Sequence, residues 1–320
     1  MKHPLQHIKI KNFTTQKGVL ISDVNLSYQL FGKKLGTAPI VLVNHALTGN
    51  SNVCGENGWW KDVIGFEKGI DTNKFTILAF NIPGNVYDGF VIDDYKNFIA
   101  KDIANIFLIG LKKLKIEHLF AIIGGSLGGG IGWEMAFLSP EITQHLIPIA
   151  SDWKSTDWII GNCRIQEQFL HNSSKPIHDA RMHAMLLYRT PQSLNQRFDG
   201  SINEKLDVFN VESWLLHHGK KLQKRFQLSA YKLMNQLLKT VDTTNEITSL
   251  NKIKSDIYII SVDSDLFFTL DENQHTFNEL SKIKKNVFYE EIQSIHGHDA
   301  FLIEYEQLEK IIQPIFNIEN

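Results

Sequence analysis

The sequence predicts an α/β fold, with a mostly parallel central sheet flanked by helices and a helical cap inserted near the middle of the chain. Buried strands are predicted by short apolar runs at 40–44, 75–81, 118–123, 145–150 and 256–262. Between these runs, apolar residues recur at helical spacing over 93–114 and 127–138. Strands that alternate with helices indicate parallel pairing, with helices on both faces of the sheet.

The remaining elements extend this pattern at both ends. Residues 24–31 alternate between apolar and polar side chains, as a half-exposed strand does, and 32–39 form a turn-rich link. The sequence predicts a last strand at 286–292 and a closing helix at 304–316. In such a sheet we expect the functional groups to lie at the carboxyl ends of the strands.

The segment 152–251 differs from the rest of the chain. It contains no convincing strand, and helical periods dominate at 177–188, 211–217 and 226–238. A separate helical domain is one interpretation, but the strand pattern resumes at 256, which favours an insertion. We therefore expect an α/β core of residues 1–151 and 252–320 and a helical cap of residues 152–251.

The composition excludes several functions. Of 320 residues, 43% are hydrophobic and 21% are charged, as in an ordinary globular protein, and the net charge is −2. This net charge does not indicate the basic surface of a nucleic-acid-binding protein or a polybasic membrane anchor. The two cysteines, Cys54 and Cys163, form at most one disulfide. Neither a signal peptide nor a membrane-spanning run is predicted, so we expect a soluble, cytoplasmic protein.

Gly124-x-Ser126-x-Gly128 connects a predicted strand to a predicted helix, which is the context of a nucleophile elbow. The tight turn raises the serine hydroxyl above the sheet and directs the next amide, that of Leu127, at an oxyanion formed there. A glycine-rich turn with no catalytic role is the alternative interpretation. A phosphate-binding loop is less well supported, because the chain has neither G-x-G-x-x-G nor a following glycine-lysine pair.

A nucleophilic serine needs a base and a carboxylate that orients the base. Asp263 and Asp265 follow the strand that ends at residue 262, and His296 and His298 follow the strand that ends near 292. The order serine, acid, histidine is that of hydrolase-type elbows, but spacing does not choose within either pair.

Two further features bear on the chemistry. The loop after the strand at 40–44 is placed to supply a second oxyanion amide, for which we predict Leu47. The histidines at 296, 298, 217 and 218 lack a third ligand at a helpful spacing, so no metal site is predicted.

The motifs together resemble the homoserine O-acyltransferases of the α/β-hydrolase superfamily, and the likeness covers nearly the whole chain. It is carried in the core by 45–49, 124–129, 264–267 and 297–302, and in the insertion by 188–191, 197–198, 211–215, 219–221 and 225–231. The resemblance implies Asp265 as the catalytic acid, His298 as the base and Asp299 as a partner of the acceptor's ammonium group. It also implies an acyl-coenzyme A co-substrate, with acetyl-CoA expected, and no bound cofactor.

The insertion departs from the family at one position that matters for the acceptor. Where the family places an arginine four residues after an asparagine, counting from Asn162, this chain has Gln166. A neutral amide does not replace a guanidinium on a carboxylate. The candidate substrate-binding residues are therefore Asp299, Gln166 and Arg197, the last from the motif at 197–198.

The sequence analysis leads to one main prediction and two alternatives. The main prediction is an acyltransferase of amino-acid biosynthesis that moves an acyl group through Ser126 to the hydroxyl of an amino acid, homoserine in the family. The first alternative is a serine hydrolase of the same fold, with water as acceptor. The second is a binding protein without activity, which the complete set Ser126, Asp265 and His298 disfavours. Small-molecule substrates are expected, and the cap is a candidate homodimer interface.

Overall fold

The protein is built around one eight-stranded sheet, seen in a computed structural model that describes residues 3–317. The strands are β1 (Gln6–Thr14), β2 (Leu20–Gly32), β3 (Ile40–Asn44), β6 (Thr76–Phe80), β7 (Leu119–Gly125), β8 (Thr143–Ile149), β11 (Asp256–Val262) and β12 (Val287–Ile292). Their order in the sheet is β1-β2-β6-β3-β7-β8-β11-β12. Two short strand pairs lie outside it: β4 (Ile64–Gly65) with β5 (Ile70–Asp71), and β9 (Ile202–Asn203) with β10 (Val208–Phe209).

The sheet is antiparallel at one end and parallel elsewhere. β1 pairs antiparallel with β2, and β2 pairs antiparallel with β6. The remaining neighbours, from β6 through β12, pair in parallel. The carboxyl ends of β3, β7, β8, β11 and β12 therefore meet at one edge, which brings the loops that follow them together.

Helices lie on both faces of this sheet and in the segment between β8 and β11. They are α1 (Ala100–Lys113), α2 (Leu127–Leu138), α3 (Asp157–Asn172), α4 (Pro176–Tyr188), α5 (Pro191–Phe198), α6 (Asn210–Arg225), α7 (Leu228–Lys239), α8 (Leu270–Ile283) and α9 (Tyr305–Phe316). Alternate residues of β3 enter different apolar cores: Leu42 packs in the core that includes α1 and α2, and Val41 in the core that includes α9. The strand is thus buried on both faces, as its continuous apolar sequence predicts.

The predicted α/β class, with its mostly parallel sheet, is confirmed. The strands at 40–44 and 256–262 and the helix at 127–138 have their predicted bounds. The helix predicted over 93–114 begins only at Ala100, because Ile99 is extended and the Asp102 carboxylate accepts its N–H at 2.9 Å. β1 was missed, although Ile8 and Ile10 alternate with exposed residues as in a half-exposed strand.

The segment between β8 and β11 forms the helices α3 to α7. β8 and β11 are adjacent and paired, with Ile149 opposite Ile260, so the chain leaves the sheet and returns to it at neighbouring strands. The short β9–β10 hairpin was not expected in this segment. We call residues 152–251 the helical insertion. That this segment is a cap with these limits stays a prediction. Within residues 3–317, no helix has the length and apolarity needed to span a membrane.

Candidate active site

Ser126 stands at the sharp turn between β7 and α2. Its φ of 55° lies in the left-handed region, an uncommon conformation for a non-glycine residue. Its N–H donates to the Ile149 carbonyl at 2.9 Å, which attaches the turn to β8. A Cβ on Gly128 would lie 2.3 Å from the Asn44 carbonyl oxygen, so only glycine fits there. The strand, turn and helix have the form of the predicted elbow.

His298 and Asp265 meet at the same edge of the sheet. Nδ1 of His298 lies 2.7 Å from Oδ2 of Asp265, and both side chains are buried. Oδ1 of Asp265 accepts the N–H groups of Phe267 at 2.7 Å and Phe268 at 3.0 Å. An ionised carboxylate only accepts hydrogen bonds, so Nδ1 carries the proton and Nε2 keeps its lone pair. That tautomer is the one a general base requires.

The other members of the two candidate pairs are engaged elsewhere. Oδ1 of Asp263 accepts the N–H of Ser294 at 2.8 Å, and so holds the loop after β12. Nδ1 of His296 is hydrogen-bonded to the Ser193 hydroxyl at 2.9 Å. The structure therefore pairs Asp265 with His298, and it leaves Asp263 and His296 as loop contacts.

Ser126 and His298 line one small cavity of about 70 Å³ together with Arg181, Tyr188 and Asp299. A wider cavity of about 420 Å³ shares Arg181 and part of the loop after β3 with it. Ser126 and His298 therefore line the same small cavity, which adjoins a larger one.

The amides of Leu47 and Leu127 are the two candidate oxyanion donors. Leu47 lines the cavity of Ser126, and Leu127 is the first residue of α2, where an N–H has no partner within the helix. Among the backbone hydrogen bonds of residues 3–317, neither of these N–H groups is a donor. Both are available to bind an anionic oxygen on Ser126.

His45 holds the loop that carries Leu47. Its Nε2 accepts the N–H of Ile82 at 3.0 Å, so its Nδ1 carries the proton and donates to the Ala46 carbonyl at 2.8 Å. Burial lowers the pKa of His45 to about 4. The ring is therefore neutral at pH 7, as the hydrogen bond that Nε2 accepts from Ile82 requires.

Asp299 lies in the wall of the Ser126 cavity, as its proposed contact with a substrate requires. Its Oδ2 accepts from Nε of Arg189 at 3.2 Å. The final helix, α9, has Glu304 at its N-cap position, so Asp299 does not cap it.

The other two candidate substrate residues do not line the cavity of Ser126. Gln166 is buried inside the insertion, where it donates to the Ala180 carbonyl at 3.1 Å and accepts from the Tyr231 hydroxyl at 3.2 Å. Arg197 places its guanidinium over the rings of Phe198 and Trp214, at 5.3 Å and 5.7 Å. Both side chains are committed to contacts within the insertion.

Sequence reasoning missed Arg181, the cation that does line this cavity. It projects from α4, and its guanidinium lies 5.6 Å from the centre of the Tyr188 ring. In the described part of the chain, the arginines that form ion pairs are Arg164 and Arg189. The available signal was its position seven residues before Tyr188, which places both on one face of a helix.

Residues 3–317 contain no group of three or more His, Cys, Asp or Glu side chains placed to hold a metal ion. Cys54 and Cys163 are both free and buried.

Comparisons with known proteins identify the family of this chain. The profile of the α/β hydrolase fold matches residues 39–304. The chain is 33% identical to the homoserine O-acetyltransferase of Cyclobacterium marinum, covering 88% of this chain and 85% of that protein. It is 31% identical to the homoserine O-acetyltransferase of Corynebacterium diphtheriae, covering 98% and 94%.

Solved structures show the same fold at lower identity. Homoserine O-acetyltransferase from Bacillus anthracis superposes with a TM-score of 0.86 at 18% identity, covering 100% of this chain and 99% of that one. Esterase E22 superposes with a TM-score of 0.87 at 18% identity, covering 99% and 100%. Taken with the sequence identities to curated relatives, these matches show that the chain belongs to the homoserine O-acetyltransferase family, on the α/β-hydrolase fold.

Proposed function

We propose that this protein transfers an acetyl group from acetyl-CoA, through an ester on Ser126, to the hydroxyl of L-homoserine. The observation that carries the proposal is the His298–Asp265 hydrogen bond of 2.7 Å in the wall of the cavity that contains Ser126. The activity named for the relatives supplies the substrates. The reaction belongs to methionine biosynthesis, and we place it in the cytoplasm.

The first half-reaction forms the acyl-enzyme. Nε2 of His298 takes the proton of the Ser126 hydroxyl, and Oγ attacks the thioester carbonyl. The N–H groups of Leu47 and Leu127 bind the resulting oxyanion. The carbon–sulfur bond then breaks, and the thiolate of coenzyme A leaves with the proton from His298.

The second half-reaction repeats these steps with the acceptor. The homoserine hydroxyl gives its proton to His298 and attacks the acetyl-enzyme carbonyl. Collapse of the second oxyanion releases O-acetylhomoserine, and Ser126 recovers its proton from His298. Water competes for the acetyl-enzyme, so a transferase benefits from a small, covered cavity with firm anchors for its acceptor.

Two opposite charges in the cavity suit a zwitterionic acceptor. Arg181 supplies a guanidinium that binds a carboxylate in two places, and Asp299 supplies a carboxylate for the ammonium group. We assign the acceptor carboxylate to Arg181 in preference to Gln166 and Arg197, because those two side chains are engaged inside the insertion.

The wider cavity suits the acyl donor. It has room for an extended chain, at about 420 Å³, and it is lined by Arg181 and Arg225. Burial, and then the nearby charge of Arg181, lower the pKa of Arg225. Two arginines in the wall of this cavity favour a co-substrate with phosphate groups.

We also propose a homodimer formed through the insertion. Seven large apolar side chains of the insertion are exposed: Trp158, Ile160, Ile165, Leu186, Ile202, Leu206 and Phe209. Where exposed apolar side chains form a contiguous patch, such a surface is typical of protein interfaces. Sedimentation velocity at micromolar concentration tests this, and a monomer under those conditions would contradict it.

The function is tested by thiol release from acetyl-CoA, with and without L-homoserine. We expect release to depend on homoserine and O-acetylhomoserine to form in equal amount. Equally fast release without homoserine would support the serine hydrolase, the alternative that the esterase-like fold keeps open. Absence of thiol release under both conditions would contradict the acetyltransferase and a thioesterase, and would leave only a hydrolase of oxygen esters.

A further inference from the structure

The loop that carries His298 is held from two sides. We define residues 293–299 as the base loop. On the core side, its Ser294 and Gly297 donate their N–H groups to Oδ1 of Asp263 at 2.8 Å and Oγ of Ser264 at 3.1 Å. These contacts join it to the loop that also carries Asp265.

On its other side, the base loop contacts the helical insertion. Oγ1 of Thr190 donates to the Ile295 carbonyl at 2.5 Å, and the Ser193 hydroxyl is hydrogen-bonded to Nδ1 of His296 at 2.9 Å. Ile295 and His296 lie three and two residues before His298. The insertion therefore bonds to the segment that leads directly into the base.

The two segments are also in close van der Waals contact. Gly297 has a φ of +66°, and a Cβ built on it would lie 3.1 Å from the Tyr188 carbonyl oxygen and 3.3 Å from Cγ2 of Thr190. Little space remains between the base loop and the chain at 188–190. A shift of the insertion at this point would therefore displace the loop.

Thr190 makes two hydrogen bonds with one hydroxyl. As the N-cap of α5, its Oγ1 accepts the N–H of Ser193 at 3.0 Å, and the same hydroxyl donates to Ile295. The hydroxyl donates its single proton to the base loop, and it uses a lone pair to accept the N–H at the start of α5. The start of α5 and the base loop are thus joined through one atom.

We propose that Thr190 and Ser193 are positioning residues, which hold the base loop so that His298 meets Ser126. The proposal rests on the proposed function only for the role of His298 as base. Misplacing a catalytic group by about 1 Å costs about 100-fold in rate, so contacts remote from the reacting atoms affect catalysis. The insertion then contributes to the geometry of the triad as well as covering it.

The chain provides a matched control for Thr190. Thr156 is the N-cap of α3, and its side chain accepts the N–H of Ile159 at 3.5 Å, but it makes no contact with the base loop. Thr156→Val and Thr190→Val each remove one capping hydroxyl and keep the shape of the side chain. They differ in the bond to Ile295, which only Thr190 makes. Thr190→Ser restores that hydroxyl.

The test is the rate at which a small organophosphonate labels Ser126, a reaction that needs neither acetyl-CoA nor homoserine. We expect Thr190→Val and Ser193→Ala each to slow labelling by about fivefold to tenfold, the rate equivalent of one net hydrogen bond. Thr190→Ser and Thr156→Val should remain close to the wild-type rate. The low-field proton resonance of the His298–Asp265 hydrogen bond should broaden in the two slowed variants only.

Labelling of Thr190→Val at the wild-type rate would overturn the proposal. Equal slowing in Thr156→Val would overturn it as well, since the effect would then come from loss of a helix cap. The proposed function fails differently, because wild-type protein would then be labelled normally but would transfer no acetyl group to homoserine. Slower labelling of Thr190→Val in such a protein would still support the positioning role.

Discussion

The elbow and the base loop carry the two groups that we propose react, Ser126 and His298, but they are built in different ways. Ser126 is held by its own strand and helix, by glycines that allow close backbone approach, and by one backbone hydrogen bond to β8. The base loop is held by side chains, and its contact with Thr190 joins residues 105 positions apart in the chain. The position of Ser126 thus depends mainly on its own strand, turn and helix, and the position of His298 depends on how the insertion packs.

This difference predicts how each part fails when it is changed. A substitution in the elbow acts on the reacting atom or on the adjacent backbone. A substitution around the base loop acts through several weaker contacts, so its effect should be graded. The following predictions test this contrast, from the largest expected effect to the smallest.

Ser126→Ala should abolish acetyl transfer and leave the fold intact. The change removes one hydroxyl and leaves the backbone turn unaltered, and losing the nucleophile of a serine triad costs up to about 10⁶-fold in kcat. Thiol release measures the loss, and circular dichroism checks the fold. Activity near the wild-type level would show that the elbow does not supply the nucleophile.

Asp265→Asn should reduce kcat by about 10⁴-fold, because an amide at this position favours the wrong tautomer of the histidine. Asp263→Asn is the matched control, since its side-chain oxygen still accepts the N–H of Ser294. We expect the control to lose much less activity. If steady-state kinetics ranked the two variants in the opposite order, the acid of the triad would be Asp263.

Arg181→Met should raise the KM for homoserine by about 10- to 150-fold, the range expected for a lost charge-assisted hydrogen bond of about 1.5–3 kcal/mol. At saturating acetyl-CoA, formation of the acetyl-enzyme should change little, because the thioester carbonyl reacts at Ser126; the KM for acetyl-CoA should also rise, since Arg181 lines the wider cavity as well. Arg197→Met is the control, because that guanidinium lies over aromatic rings of the insertion. A larger KM effect in the control would return the acceptor site to the residue that the sequence suggested.

His45 predicts a pH dependence of stability. Its folded-state pKa of about 4 lies below its unfolded value of about 6.5, so the unfolded state binds the proton more readily between these pH values. The stability that depends on a neutral His45 is complete above pH of about 6.5 and is lost as the pH falls toward 4, a loss of roughly 3 kcal/mol.

Other buried groups titrate in the same range, because burial raises the pKa of both Asp152 and Glu134 to about 7. The measurement is therefore the difference in urea-unfolding free energy between wild type and His45→Asn at each pH. We expect the wild-type advantage to shrink from pH 7 to pH 4.5. An advantage that stays constant would mean that His45 is not held neutral.

The sequence predicted the elements near Ser126 well and the residues around the acceptor poorly. The bounds of α2 and the form of the elbow follow from apolar spacing and glycine positions, which act between neighbouring residues. Gln166 and Arg197 were chosen from motif positions, yet the structure buries one and stacks the other on aromatic rings. The helical spacing between Arg181 and Tyr188 did not reveal that Arg181 lies near Ser126, because that proximity arises from the packing of α4 against the segment that carries His298.

The sequence by itself determined the fold class, the order of strands and helices, and the serine at the turn after β7, because periodicity and turn chemistry are properties of short segments. Spacing did not choose between Asp263 and Asp265 or between His296 and His298; the family resemblance favoured Asp265 and His298, and only the tertiary structure shows that these two side chains are hydrogen-bonded to each other. Each pair has identical chemistry and nearly identical position in the chain. What distinguishes its members is the set of partners within hydrogen-bond distance, and packing between distant segments sets those distances.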